Sequence, residues 1–158
     1  MKTINQLIPY GGGSQKPDRI VVHSMGEYVQ GNDDRFLHAS AFLADYKLST
    51  HILVTPDGDL IRCHKDNEIA WHAKRFNTNS LGIAFLVSGE HNYVTFINAI
   101  KEQYLTGVQY AAGIEMVNHW QRLYDIKSVD RHSDLSPNRK VDPGEGFPWE
   151  DFKERIAL

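Results

Sequence analysis

Thr50-His51-Ile52-Leu53-Val54-Thr55-Pro56-Asp57-Gly58-Asp59-Leu60-Ile61-Arg62-Cys63-His64 places two short apolar runs on either side of Pro-Asp-Gly. Pro presets φ at one central turn position and Gly relieves strain at the next, so the stretch reads as a β-hairpin. Arg19–Ser24 (RIVVHS) upstream and Ser80–Val87 (SLGIAFLV) downstream are continuous apolar runs, read as buried strands. Helical spacing is expected at four places between and beyond them. One helix starts near Asp34 and carries Phe36, Leu37, Ala39, Ala41, Phe42, Leu43 and Tyr46. Thr95–Leu105 and Thr106–Tyr124 give two more, the second opened by a Thr106/Gln109 capping box and burying Tyr110, Ile114, Val117, Trp120 and Leu123 or Tyr124. Pro148-Trp149 starts a last short helix with Phe152 and Ile156. The lead-in from Tyr10 to Asp18 (YGGGSQKPD) is expected to pack little. Strands interspersed with helices, without a repeat or linker, predict one α/β domain over residues 1–158: a central mixed β-sheet flanked by helices.

The composition narrows the chemistry. The chain has 158 residues, 41% hydrophobic and 23% charged, enough to bury a core without a disulfide or a metal. A metal site is therefore expected to be functional. Seventeen Lys+Arg against 20 Asp+Glu give a net charge of -3, so the basic field that draws nucleic acid phosphates is missing and no nucleic acid partner is expected. Cys63 is the single cysteine, which removes an internal disulfide and fits a reducing cytoplasm; it reads as a small buried hydrophobe. The N-terminal stretch lacks the apolar core of a signal peptide and no run has membrane-spanning length, so a cytoplasmic protein that stays off the membrane is expected. A monomer is the expected state.

Eight histidines are present, and two stand in a chemical context. His23 ends an apolar strand, where a rigid element holds it. His132 opens His132-Ser133-Asp134-Leu135-Ser136-Pro137-Asn138-Arg139-Lys140-Val141-Asp142-Pro143-Gly144, which has the composition of an ordered active-site loop. A catalytic zinc takes three N or O ligands and keeps one position open, and His23, His132 and Asp142 can supply them. Lys140, two residues before Asp142, projects from the same face of an extended segment and is suited to stabilise a developing oxyanion. His51 lies in an alternating strand and points inward; His38, His64, His91 and His119 read as structural or solvent-facing.

These residues resemble the zinc-dependent N-acetylmuramoyl-L-alanine amidases (amidase type 2), relatives of peptidoglycan recognition proteins and phage lytic amidases, with the muropeptide-recycling and phage lytic branch closest. IVVHSM resembles the first-ligand strand, STHILVTPDGDLIRCH the hairpin, AWHAKRFNTNSLGIAFLV the substrate-facing segment and next strand, and RHSDLSPNRKVDPG the second-ligand loop. The resemblance implies an amidase/peptidoglycan-recognition-protein-like fold, zinc on His23, His132 and Asp142, and Lys140 as the catalytic lysine. It also implies hydrolysis of the amide between the lactyl group of N-acetylmuramic acid and L-Ala, in muropeptide recycling or as an endolysin released to the periplasm or wall. His72 falls where the family has a groove residue, with a structural histidine as the other reading. Trp71, Arg75, Phe76 and Asn79 are expected either to line the same groove, by ring stacking on sugars and pairing with peptide carboxylates, or to be surface loop. The general-base Glu of that branch falls at Ala84, and the tyrosine another branch places before the hairpin His falls at Thr50. Ala84 is read as an introduced or natural inactivating change, or as compensated by Glu27 or Glu90. A non-catalytic muropeptide-binding module is the competing reading, and a structural zinc protein a more distant one.

Overall fold

The computed structural model describes residues 2–157, so the ends of the expected 1–158 unit lie outside the described residues. In chain order the elements are β1 (Thr3–Asn5), β2 (Gly11–Ser14), β3 (Arg19–Gln30), β4 (Phe36–His38), α1 (Ala39–Asp45), β5 (Ile52–Val54), β6 (Leu60–Arg62), β7 (Glu68–Ala70), β8 (Ser80–His91), α2 (Tyr93–Ala99), α3 (Gly107–Leu123), β9 (Ser128–Arg131), α4 (His132–Leu135) and α5 (Trp149–Arg155). The main sheet runs β1-β6-β5-β8-β3-β4, with β9 also on β3. It is mixed: β3/β8, β5/β8, β1/β6 and β3/β9 are parallel, whereas the expected hairpin β5/β6 and the pair β3/β4 are antiparallel. This is the α/β architecture expected from the sequence.

The near-continuous apolar runs of β3 and β8 follow from burial on both faces. Ile20, Val22, Leu81, Ile83 and Phe85 face one way, onto Met116, Val117 and Trp120 of α3 and Phe152 of α5. Ala84 and Leu86 face the other way with Leu53 and Ile61, under Ala39 and Leu43 of α1. Helix α3 begins with the expected Thr106/Gln109 capping box. Its buried stripe, Gln109, Ala112, Gly113, Met116, Val117 and Trp120, is rotated from the expected one: Val117 and Trp120 are core, Tyr110, Ile114 and Tyr124 are only partly buried against it, and Leu123 is exposed. The rotation follows from close approach at Gly113, where a Cβ would lie 2.2 Å from the Phe85 ring.

Other boundaries differ from expectation for local reasons. Phe36–His38 is a strand on β3, and the first helix starts only at Ala39, where the His38 side chain accepts from Ser40 N. Helix α2 begins at Tyr93 because Asn92 and Thr95 make a reciprocal cap, and it ends at Ala99 instead of reaching Leu105. The Gly-rich lead-in is not idle: β2 pairs with β7, and buried Gln15 donates to the carbonyls of Asp66 and Ser80. β3 and β8 each extend to twelve residues, beyond the apolar runs that announced them. Cys63 is buried as expected, and burial pushes its thiol up to about 12. Among the described residues no helix is long and apolar enough to cross a membrane.

Candidate functional site

Strand register builds the site. The parallel pairing of β3 with β8 sets His23 opposite Ala84, and that of β8 with β5 sets Ala84 opposite Leu53. On the far edge of β3, Arg131 of β9 lies opposite Val22, so the next residue, His132, comes up beside His23. β4 takes that edge only from Tyr28, which leaves His23 to Glu27 free of a strand partner there. The α4 turn and the loop carrying Asp142 occupy the space, joined by Ser133 N donating to Asp142 O at 3.0 Å.

The three side chains converge. His23 Nδ1 lies 3.1 Å from His132 Nδ1 and 3.1 Å from Asp142 Oδ2, and His132 Nδ1 lies 3.1 and 3.3 Å from the two Asp142 oxygens. All three residues are buried. Burial lowers the His23 pKa, against the raising effect of Asp142. For Asp142, burial alone would raise the pKa, but the imidazoles of His132 and His23 beside it outweigh that effect and hold the carboxyl below the usual range. Imidazole nitrogens and a carboxylate oxygen facing one another at these distances form a group that could hold a metal ion. Two N donors, one O donor and an open side fit zinc better than calcium or magnesium, which take oxygen shells. His132 Nε2, buried, has no hydrogen-bond partner among the described residues.

His72 closes the back of the site. Its Nδ1 lies 2.9 Å from His23 Nε2 and its Nε2 3.0 Å from Ser80 Oγ. Burial, then the neighbouring His23, His51 and His132, holds its pKa well below the ordinary value. His51, as expected, points inward: its Nδ1 accepts from Gly82 N at 3.0 Å and its Nε2 donates to Glu68 O at 2.8 Å.

Above the triad opens a cavity of about 540 Å³. Its floor includes Ala84, 3% exposed. Its lining is partly apolar, from Phe42, Leu48, Trp71, Tyr93, Phe96 and Ile97, and partly a cationic rim of Lys74, Arg75, Arg139 and Lys140. None of these four cations forms an ion pair among the described residues. A second hollow of about 310 Å³, lined by Lys74, Arg75 and Arg139 with Ser136 and Asn138, adjoins the cationic rim. Arg75 adopts φ 75, in a loop folded by Asn77 Oδ1, which accepts from His72 N and Ala73 N.

Of the residues singled out in the sequence, His23, His132, Asp142, Lys140, Ala84, Trp71, His72 and Arg75 all line this cavity. Asn79 does not: its Nδ2 donates to Asp18 Oδ1 at 2.9 Å and ties the loop to the start of β3. Phe76 is likewise turned away, under the Arg19 guanidinium. Glu27 and Glu90 lie further along β3 and β8, outside the lining, and Glu27 Oε1 accepts from Gly89 N. Asp142 is the only carboxylate among the described lining residues. Apart from Trp71, sequence reasoning missed the apolar lining, because Phe42 and Phe96 carry the same periodic signal as core residues. It also missed Lys74 and Arg139, whose direction depends on loop conformation.

An α/β sheet holding a buried His-His-Asp cluster beside an open cleft is an arrangement that could hold a metal ion for hydrolytic chemistry. Residues 13–145 match the N-acetylmuramoyl-L-alanine amidase family, and the chain belongs to that family and is an amidase. The 1,6-anhydro-N-acetylmuramyl-L-alanine amidase AmpD of Haemophilus influenzae is 28% identical over 153 residues, covering 90% of this chain and 78% of the relative. A crystal structure of a selenomethionine AmpD derivative superposes with a TM-score of 0.74 at 22% identity, covering 98% of this chain and 94% of the other. The amidase AmiD from E. coli, solved with anhydro-N-acetylmuramic acid-L-Ala-D-γ-Glu-L-Lys, superposes with a TM-score of 0.68 at 25% identity, covering 92% of this chain and 60% of AmiD.

Proposed function

We propose that this chain, acting as one domain, hydrolyses the amide between the lactyl group of N-acetylmuramic acid and L-Ala in muropeptides, with zinc held by His23, His132 and Asp142. The observation that carries the reading is the buried cluster at the floor of the cleft, its ligand atoms all within 4.8 Å of one another. The kinship to amidases named for anhydro-muropeptides, and to one solved with such a ligand, supports anhydro-muropeptide as substrate. Bound zinc supplies a Lewis acid for the scissile carbonyl and lowers the pKa of a water.

The chain's own residues do the rest. The wall of Trp71, Phe42 and Tyr93 presents apolar rings to the sugar. Lys74, Arg75 and Arg139 draw the carboxylates of the stem peptide to the cationic part of the lining. Lys140 offers its ammonium to the oxygen that gains charge as the amide is attacked. Ala84 has no proton to accept or give, so turnover is expected to be slow rather than absent; a general base contributes about 10² to 10⁴ in rate.

The test is incubation of the zinc-loaded protein with purified anhydro-muropeptides and with sacculi, followed by mass analysis of released stems. Release of intact stem peptide by the parent, and its loss in His23→Ala and Asp142→Asn, is the expected result. Muropeptide binding with no release, even after a proton acceptor is restored at position 84, would replace the hydrolytic reading with that of a muropeptide-holding module.

A further inference from the structure

We propose that His72 and Ser80 are positioning residues, a hydrogen-bond chain that fixes the tautomer of His23 so that its Nδ1 faces the metal unprotonated. The inference rests on reading His23, His132 and Asp142 as a metal centre. The direction of the chain is forced from its closed end. Phe76 O can only accept, so the Ser80 hydroxyl spends its proton there, at 2.5 Å. Ser80 Oγ is then an acceptor for His72 Nε2 at 3.0 Å, which must carry the N–H. A neutral imidazole has one N–H, so His72 Nδ1 is a lone pair. It lies 2.9 Å from His23 Nε2, which must in turn be protonated. The lone pair of His23 is therefore on Nδ1, the atom 3.1 Å from both Asp142 Oδ2 and His132 Nδ1.

Three further features converge on the His72 ring. Gly82 makes room for it: a Cβ there would lie 2.7 Å from His72 Nδ1 and 2.8 Å from Cγ, so the ring rests directly on the backbone of β8. Asn77 Oδ1 fixes its backbone by accepting from His72 N and Ala73 N at 3.0 and 2.8 Å. The rings of His23 and His51 stand edge-on to it, with centroids 5.1 and 5.7 Å away. Both ring nitrogens are thus committed within the protein, and His72 acts through His23.

Outer partners of this kind typically change metal affinity about 10- to 100-fold when removed. Zinc affinity, measured by competition with a chromophoric chelator, is expected to fall by that factor in His72→Ala and Ser80→Ala and to be retained in Ser80→Thr, which keeps the hydroxyl. Nitrogen NMR of the histidine-labelled, zinc-loaded parent protein reads the tautomers without any variant; Nε2–H is expected at both His23 and His72. Absence of zinc binding by the parent would overturn the metal centre and this role with it. An Nδ1–H tautomer at His23, or undiminished zinc affinity in a His72→Ala protein whose circular dichroism shows it folded, would overturn the role of His72 while leaving the centre intact.

Discussion

Restoring a carboxylate at position 84 is the sharpest perturbation available. Ala84 sits opposite His23 in a parallel pair, so the two side chains leave the sheet on the same face, and the Ala84 methyl forms part of the cavity floor. The strand there is clamped from both sides, by His23 of β3 and Leu53 of β5, so Ala84→Glu changes a side chain on a fixed backbone. The four added heavy atoms enter a cavity of about 540 Å³ whose only other described carboxylate, Asp142, is occupied with His23 and His132. Partial burial raises the pKa of such a Glu toward neutrality, which suits a base. The expected gain is about 10² to 10⁴ in kcat, or about 3 to 5 kcal/mol of barrier, with KM little changed because ground-state contacts do not involve the base. Single-turnover release of stem peptide from anhydro-muropeptide, followed by mass spectrometry, measures it. Ala84→Gln, of equal bulk but without a proton acceptor, should give no gain. Equal rates for the Glu variant and the parent, with zinc content and muropeptide affinity unchanged, would refute the assignment of the missing base to position 84.

Three other outcomes are expected. His51 has its pKa lowered to about 4 by burial, so the unfolded chain binds a proton that the folded one refuses. Its stability contribution is complete above about pH 6.5 and is lost as pH falls toward about 4, an order of 3 kcal/mol, visible as a falling urea midpoint that flattens in His51→Gln. Gln109 is fully buried and donates from Nε2 to Val54 O at 3.0 Å and Leu86 O at 2.7 Å, so Gln109→Leu strands two carbonyls and should cost about 2 to 6 kcal/mol in urea unfolding. Replacing Lys74 and Arg139 by Gln should weaken binding of a stem with free carboxylates and flatten its salt dependence; calorimetry that finds neither effect would remove the cationic rim from substrate recognition.

What the sequence disclosed and what it withheld divide along physical lines. Long apolar runs exposed β3 and β8, and Pro56-Asp57-Gly58 exposed the β5/β6 hairpin, because these signals are local. The cluster of His23, His132 and Asp142 was readable from residue types in two conspicuous contexts. β1, β2, β4, β7 and β9 were not, since strands of three or four residues are defined by distant partners rather than by their own composition. The same limit hid the distinction between Asn77, which folds the loop under His72, and Asn79, which ties down Asp18. Nothing in the spacing of His72, Ser80 and Gly82 announces that their atoms meet above one strand.

The alignment of Leu53, Ala84, His23 and His132 across neighbouring strands has a practical reading for transplantation of the proposed centre. Two of the three donors are specified by strand alignment alone: a host sheet needs only a parallel pair, with one imidazole inside the longer strand and the other one step past the end of the shorter. The third donor travels on a loop and tolerates imprecise copying only as far as the Ser133–Asp142 backbone bond will hold it. A grafting effort would therefore succeed or fail on pairing register before any cavity-lining side chain is chosen, since a slip of one residue would send the first imidazole through to the opposite side of the sheet.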